Sequence, residues 1–224
     1  SIEKTDFSII EDYEKFCFNW FILHPEFESV RPDHLVLPSH MFFGGWQTLD
    51  PKFPDGYLGK LYELEHKPII WSSYYFKEYY EKIGLNNDFE INYLLFEKPF
   101  KQFIEKQGNT DNDIKGFLDD GRTGVLTMGV PIAKHLGFEK IILVGCDSNY
   151  NQSSGESNYF YSSELHTSKS TRTESLTSTW TDVGPGQFAY AIVSEALQKD
   201  GIKLLDATID GALKTVPKIS LYNV

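Results

Sequence analysis

The chain has 224 residues, 41% of them hydrophobic, and a formal net charge of −11 at pH 7. Its length and apolar content allow one sizeable core, so we expect a single α/β domain over residues 1–224. The acidic balance and the lack of any basic run argue against a nucleic-acid groove, because phosphate binding needs clustered Lys and Arg. No apolar stretch approaches the length of a bilayer span.

The cellular setting is indicated by the N-terminal region and the cysteines. The N-terminal region has no signal-peptide pattern. Cys17 and Cys146 fall in predicted strand regions, where buried reduced thiols are the usual state. These features favour a cytoplasmic protein, and they leave open a peripheral membrane association and a homo-oligomer. The chain begins at Ser1 without Met in a polar stretch, so the loss of a preceding strand and Gly-rich loop is also left open.

The predicted elements alternate between strands and helices. Six short runs rich in β-branched, aromatic or aliphatic residues predict strands: Lys15–Phe18, His34–Leu37, Pro68–Trp71, Ile91–Leu95, Lys140–Gly145 and Ile202–Leu205. Helical spacing of apolar residues predicts helices over Tyr74–Ile83, Phe100–Gln107, Thr123–Leu136 and Gln187–Lys199. This alternation predicts an α/β fold with an open, mainly parallel sheet flanked by helices.

The helix predicted over Thr123–Leu136 contains one residue that conflicts with it. Pro131 removes a backbone hydrogen bond and clashes with the preceding turn, so we expect a kink there or a later helix start. Gly137 and Gly201 are placed to end the helices that precede them.

The predicted strand Lys140–Gly145 ends on a polar tip, which is the first candidate site. Asp147, Ser148, Asn149 and Tyr150 emerge at the carboxyl end of this strand. In open α/β sheets ligands bind in the crevice beyond the carboxyl ends of strands, so these side chains are suited to bind one. The competing interpretation is that Asp147 only caps the next turn.

Residues 151–182 differ in kind, being crowded with Ser, Thr, Asn and Glu and nearly empty of aliphatic side chains. We expect a Ser/Thr-rich lid, because Tyr159, Phe160, Tyr161 and Trp180 give this segment apolar groups with which to close. A plain mobile surface loop is the alternative. His166 belongs to this segment, where closure of a lid could deliver a general base.

Several familiar signatures are absent: no phosphate-binding loop with Lys and Ser or Thr, no dinucleotide-binding Gly pattern, no nucleophile elbow and no C-x-x-C pair. Asp111 and Asp113 resemble a metal-binding pair, but their polar setting favours a solvated turn. Asp119 and Asp120 are predicted to cap a helix start, at which Arg122 can reach an anion.

Three segments together resemble the DUF115, or MptE-like, family. IAKHLGFEKIILVGCDSNY resembles its helix and strand, which end in G-x-D and an aromatic. GIKLLDATIDGALKTVPKISLYNV resembles its closing pattern, N/D-A-T-x-x-G-x-L followed by an apolar-Pro-basic-apolar segment. SIEKTDFSIIEDYEKFCFNWF resembles the region after its Gly-x-Gly-Pro-Ser opening, with Asn19 at the asparagine that ends the second strand.

The resemblance extends to the sialyltransferases of glycosyltransferase family 42 and to the flagellin-modifying Maf transferases. It implies a Rossmann-like fold and a transferase of surface-polysaccharide synthesis that moves a nonulosonic acid from a CMP donor to a glycan acceptor without a metal or other cofactor. The residues it implies for nucleotide binding are Asn19 and Thr123 or Thr127, beside Arg122 and Asp147 from the patterns above. For catalysis it implies Tyr150 with Tyr159 or Tyr161, whose hydroxyls can stabilise a departing phosphate, and His166 as a fallback base.

Two alternatives remain at this level. Archaeal members of the family transfer diphosphate from ATP to a hydroxymethylpterin, which needs Mg²⁺ held by carboxylates such as Asp147 with Asp119 or Asp120. The other alternative is a non-catalytic nucleotide-binding or scaffold module that keeps the fold without the activity.

Overall fold

A computed structural model describes residues 2–37, 52–95, 124–147 and 185–224 of the chain. These residues form two compact units. The four-stranded unit comprises residues 11–37 and 52–95, and the two-stranded unit comprises residues 2–10, 124–147 and 185–224. The expectation of one domain over residues 1–224 stays a prediction. Among the described residues, no helix combines the length and apolar character that crossing a bilayer requires.

The four-stranded unit is built on a fully parallel sheet. Its strands are β1 (Phe16–Phe18), β2 (His34–Leu37), β3 (Ile69–Ser73) and β4 (Ile91–Leu94), arranged side by side in chain order. Leu35 pairs with Cys17 on one side and with Ile70 on the other. The predicted parallel α/β sheet with flanking helices is confirmed here.

Helical connections join each strand of this sheet to the next. They contain a 3₁₀ helix (Asn19–Leu23) and α1 (Phe27–Val30), then α2 (Lys52–Glu63), then the 3₁₀ helix Tyr74–Phe76, α3 (Lys77–Lys82) and the 3₁₀ helix Leu85–Asn87. Buried residues of all three connections join strand residues in one core: Cys17, Ile22, Phe27, Leu35, Leu37, Tyr57, Leu61, Leu64, Ile70, Tyr80, Leu85 and Phe89. Burial of these apolar side chains is what holds the short helices in place, since single turns are unstable alone.

The two-stranded unit pairs β5 (Lys140–Leu143) with β6 (Lys203–Asp206) in parallel, with Ile141 opposite Leu204. Helix α4 (Val130–His135) precedes β5, and α5 (Pro185–Lys199) precedes β6. Short 3₁₀ helices lie at Ile2–Lys4, Phe7–Ile10 and Leu221–Asn223. The core consists of Leu126, Val130, Leu143, Ala189, Tyr190, Val193, Ala196, Leu197, Ile202, Leu204, Leu213 and Val216.

Pro131 explains the irregular start of α4. A π-helical turn occupies Val125–Gly129, and the Val130 N–H donates to the Val125 carbonyl, five residues back. Proline has no N–H to offer the Thr127 carbonyl and its ring crowds that turn, so a wider turn relieves the conflict. The regular α-helix therefore begins at Val130, which confirms the expectation of a start later than Thr123.

Candidate functional site

Asn19 lies at the carboxyl end of β1 in a conformation that few residues adopt. It directly follows Phe18 and opens the 3₁₀ helix Asn19–Leu23 with a φ of 52°. This left-handed region costs most L-residues about 1–2 kcal/mol, and asparagine is among the residues that enter it most readily. The Asn19 side chain is half-buried. A polar amide is thus held at the strand end where parallel sheets bind ligands.

The backbone of Asn19 is anchored from α2. The Tyr57 Oη donates a hydrogen bond of 2.8 Å to the Asn19 carbonyl, and the Tyr57 side chain is 1% exposed. Burial raises the pKa of Tyr57 well above its usual value, with Cys17 and Tyr80 adding to the rise. The phenol therefore stays protonated and remains a donor. Trp20 packs edge-on against the Tyr57 ring at 5.3 Å, which fixes the tyrosine in place.

Asp147 forms the corresponding tip of the two-stranded unit, beyond β5. The strand leaves the sheet at Gly145, which has a φ of 71°. A Cβ at that position would lie 2.8 Å from the Ile2 Cδ1, so both the conformation and the space favour glycine. The Asp147 side chain beyond this turn is half-buried.

The segment after β6 holds the backbone around Asp147. The Ala207 N–H donates to the Leu143 carbonyl at 2.8 Å. The Cys146 N–H donates to the Thr208 Oγ1 at 3.0 Å, and the Ala212 N–H donates to the Asp147 carbonyl at 2.7 Å. The D-A-T-x-x-G sequence, residues 206–211, therefore acts as a brace for the tip of β5.

An ion pair between a buried carboxylate and a half-exposed lysine supports this brace. Asp206 is fully buried, and its Oδ2 accepts a hydrogen bond of 2.5 Å from the Lys218 Nζ, whose side chain is 44% exposed. The Asp206 Oδ1 accepts from the Thr208 N–H at 2.9 Å, and the Lys218 Nζ also donates to the Gly211 carbonyl at 3.2 Å. A buried carboxylate without such partners is strongly destabilising, so Lys218 stabilises the turn that presents Thr208.

The turn after Thr208 is closely packed. Gly211 lies against Thr208, and a Cβ there would lie 2.7 Å from the Thr208 Cγ2. Asp210 adopts a φ of 55° and forms an exposed ion pair with Lys4 at 2.7 Å. The hydrogen bond from Lys4 lowers the pKa of Asp210 and raises that of Lys4.

Gln187 fixes the rest of the C-terminal segment to α5. Its side chain is 6% exposed, its Nε2 donates to the Ala212 carbonyl at 2.9 Å, and its Oε1 accepts from the Lys214 N–H at 2.9 Å. The Thr215 Oγ1 donates to the Gln187 carbonyl at 2.8 Å. A buried amide whose donor and acceptor are both used stabilises the segment.

Cys146 lies beside this network as a protonated thiol. Burial raises its pKa to about 12, with the charges of Asp206 and Asp147 adding to the rise and a hydrogen bond with Tyr190 opposing it. The neutral form is therefore dominant near pH 7, and a nucleophilic role for this thiol is disfavoured.

The residues predicted for the site fall into three groups. Asn19 belongs to the four-stranded unit, while Thr127 and Asp147 belong to the two-stranded unit. Thr127 lies within the π-helical turn and is 7% exposed, in contrast to the half-buried side chain of Asp147. The other predicted site residues, namely Arg122, Thr123, Tyr150, Tyr159, Tyr161 and His166, lie outside the described residues, as do Asp119, Asp120 and the lid segment 151–182.

Sequence reasoning did not single out the residues that hold the two tips. Asp206 and Thr208 carry a local signal, because an aspartate that accepts from the N–H two residues later is a standard turn former after a strand. Lys218 and Gln187 act over larger separations and give no such signal. Tyr57 lies in a helix that the sequence pattern did not predict.

The two tips offer hydrogen-bonding groups and no strong nucleophile. An amide at Asn19 can donate and accept, and a carboxylate at Asp147 can accept from ligand hydroxyl or amino groups. Within the described ranges, no cluster of three or more His, Cys, Asp or Glu side chains is arranged to hold a metal ion. Each tip by itself offers groups that can hydrogen-bond a polar ligand.

The comparisons with known proteins give no match: no protein-family model, no curated protein and no solved structure is significantly similar to the chain.

Proposed function

We propose that the chain is a metal-independent glycosyltransferase that moves a sugar of the nonulosonic-acid type from a CMP-activated donor to a glycan acceptor in polysaccharide biosynthesis. The observation that carries the proposal is Asn19, a left-handed, half-buried asparagine at the carboxyl end of a parallel strand. The three segments that resemble the DUF115 family support it.

Asn19 has the chemistry that a cytidine nucleotide requires. Its amide presents one acceptor and two donors, which can meet the mixed donors and acceptors of a cytosine edge or a ribose. The Tyr57 hydrogen bond holds the Asn19 backbone, so the amide is partly preorganised before a ligand arrives. Left-handed non-glycine residues occur preferentially at functional sites, which agrees with a binding role.

The other assignments belong to the same proposal. Arg122, Thr123, Thr127 and Asp147 would contribute to nucleotide binding. Tyr150, Tyr159 and Tyr161 would donate hydrogen bonds to the departing phosphate, and His166 would serve as the base. The proposal also includes a Rossmann-like arrangement and a Ser/Thr-rich lid over residues 151–182.

Binding of CMP to Asn19 variants tests the proposal directly. Asn19→Gly keeps the left-handed backbone accessible but removes the amide, so CMP affinity should fall about tenfold while the fold stays cooperative. Asn87→Gly removes an exposed amide from the same unit and serves as the matched control. Affinity is measured by calorimetric titration with and without Mg²⁺. An unchanged affinity in Asn19→Gly would place nucleotide binding elsewhere.

A thermal-shift screen of CMP, CDP, UDP, GDP and ATP separates the candidate functions. Stabilisation by CMP without Mg²⁺, followed by release of CMP from a CMP-sugar, is the expected result. Stabilisation only by ATP with Mg²⁺ would favour the pterin diphosphokinase. CMP binding without turnover of any CMP-sugar would favour a non-catalytic binding module.

A further inference from the structure

His34 opens β2 as a buried imidazole whose two ring nitrogens are both hydrogen-bonded. It is 4% exposed, and the Phe16 ring packs against it at a centroid distance of 4.2 Å. The His34 Nε2 lies 2.8 Å from the Glu14 Oε1, and the Trp71 Nε1 donates to the His34 Nδ1 at 3.0 Å. Glu14, His34 and Trp71, which we name the imidazole triad, thus join the segment before β1 to β2 and β3.

The tautomer of His34 follows from the chemistry of its two partners. An indole N–H can only donate, so the His34 Nδ1 accepts from Trp71 and carries no proton. The single N–H of the neutral ring therefore lies on Nε2, which donates to the Glu14 carboxylate. Both ring nitrogens are satisfied in the neutral form, as is usual for buried polar groups.

A second proton on His34 is incompatible with this arrangement. It would bind Nδ1, and two N–H groups would then face each other across the 3.0 Å between Nδ1 and the Trp71 Nε1. Trp71 is 8% exposed, so its indole N–H would lose a buried acceptor. The contact with Glu14 would persist as an ion pair, because Nε2–H still donates to the carboxylate. Protonation therefore breaks one contact of the ring and keeps the other.

Other charged or titratable groups flank the triad at the amino ends of the strands. They are Lys15, Asp33, His66, Lys67, Asp88 and Glu90. Lys15 pairs with Asp33 at 3.7 Å and Lys67 pairs with Asp88 at 3.9 Å, so these charges offset each other. The His66 Nε2 donates to the Pro32 carbonyl at 2.8 Å. Glu14 is the charged group that hydrogen-bonds the His34 ring itself.

We infer that the imidazole triad is a pH-sensitive switch that releases Trp71 from His34 on acidification. Histidine is the side chain whose charge ordinarily changes between about pH 5 and 8. At the upper end of this range the neutral ring joins Glu14 and Trp71 to β2. At the lower end the protonated ring holds Glu14 alone, and the Trp71 side chain changes its position or its hydrogen-bond partner.

The test is nitrogen NMR of the ¹⁵N-labelled whole chain between about pH 8 and pH 5. At the upper end His34 should be the Nε2–H tautomer. On acidification the His34 and Trp71 ring signals should change together. Exchange of the Trp71 indole proton with solvent should accelerate about tenfold relative to free tryptophan at the same pH. Trp71→Phe identifies the indole signal, and the contact with Phe16 identifies His34.

Two glutamine substitutions separate the switch from a general effect of pH. His34→Gln supplies an amide that can accept from Trp71 and donate to Glu14 but does not titrate, so the Trp71 signal should become independent of pH. His66→Gln removes a neighbouring imidazole of the same unit and is the matched control. It should leave the titration of the Trp71 signal unchanged.

Three results would overturn the inference. They are an Nδ1–H tautomer of the neutral His34 ring, a Trp71 indole signal that stays constant over the whole range, or the same titration of that signal in His34→Gln. The first two are measured on the wild-type chain, so they decide the matter even if His34→Gln does not fold.

Discussion

The Asn19 tip and the Asp147 tip lie at equivalent places in their units, each beyond the carboxyl end of a parallel strand, yet they are built differently. Asn19 adopts its left-handed conformation immediately after β1 and receives one hydrogen bond from Tyr57. Asp147 follows a glycine that makes the turn, and its backbone is braced by the residues after β6. At the Asn19 tip, the polar residue itself adopts the left-handed backbone conformation. At the Asp147 tip, a glycine adopts that conformation instead, and the brace holds the backbone of the polar residue.

The difference shows which polar groups are already engaged in holding the fold. In the brace, the polar groups of Asp206, Thr208 and Lys218 are engaged with each other and with the backbone. The D-A-T-x-x-G sequence is thus explained by the local fold. At the Asn19 tip the Tyr57 hydrogen bond goes to the backbone carbonyl of Asn19 and does not involve its half-buried side-chain amide.

The largest effect is expected from breaking the brace. Lys218→Met leaves the buried Asp206 carboxylate without its cationic partner, which should lower the free energy of unfolding by about 3 kcal/mol. Denaturant unfolding measures this, and the exposed Lys203→Met is the control, expected to change stability by less than about 0.5 kcal/mol. Asp206→Asn combined with Lys218→Met removes the uncompensated charge and should be less destabilised than Lys218→Met. Equal stability of Lys218→Met and wild type would mean that the ion pair does not hold the brace.

A second substitution tests the packing of the brace. Gly211→Ala places a Cβ against the Thr208 Cγ2 and should destabilise the fold by about 2 kcal/mol. Thr208→Ser removes that methyl group but keeps the hydroxyl, so the double variant should recover part of the loss. Gly59→Ala, where nothing lies within 4 Å of the new Cβ, should instead be neutral or stabilising because it lies in α2. If the double variant loses as much stability as the two single variants together, the new Cβ does not clash with the Thr208 methyl group.

The smallest change in stability is expected from substitutions at Asn19, and it tests whether the two tips are built differently. Asn19→Ala should cost about 1 kcal/mol, because alanine enters the left-handed region less readily than asparagine. Asn19→Gly should be close to neutral for the same reason. Thermal unfolding of the two variants measures the difference. If both variants lose the same stability, the Asn19 side chain holds the fold by its contacts, and the backbone explanation fails.

Much of the fold was predictable because short apolar strands are visible in the sequence as runs of hydrophobic residues bounded by turn formers. The strand His34–Leu37 has the predicted bounds, and the other five predicted strands are present with ends shifted by one or two residues. The prediction carried β5 through to Gly145, but the strand ends at Leu143 because Gly145 turns the chain out of the sheet. The caps predicted at Gly137 and Gly201 are confirmed by their left-handed conformations.

Helices that depend on tertiary contacts were not predictable in the same way. The pattern missed α1, which is a single turn, and α2, whose sequence contains Pro54, Gly56 and Gly59. Low helix propensity is overridden in α2 by the burial of Tyr57 and Leu61. The helix predicted over Tyr74–Ile83 is instead a 3₁₀ turn followed by α3, and the helix predicted over Phe100–Gln107 lies outside the described residues.

The candidate site was predictable only in outline. The strand-end rule located Asp147, and the resemblance located Asn19, but neither indicates a backbone angle or a brace. Both depend on pairs far apart in sequence, such as Cys146 with Thr208 and Asn19 with Tyr57. A periodic pattern reports which face of an element is apolar and carries no information on such pairs.

The registers of the two sheets differ in the length of chain that each pairing closes. Phe16 pairs with His34 in the four-stranded sheet, whereas Lys140 pairs with Lys203 in the two-stranded one. Closing a longer loop costs more chain entropy, so the pairing of β5 with β6 has a larger entropic cost than the pairing of β1 with β2. Contacts made at the end of the chain, including those of Lys218, offset that cost. The residues around Lys218 contact Asp206 of β6 and so support the strand whose partner, β5, lies more than sixty residues earlier in the sequence.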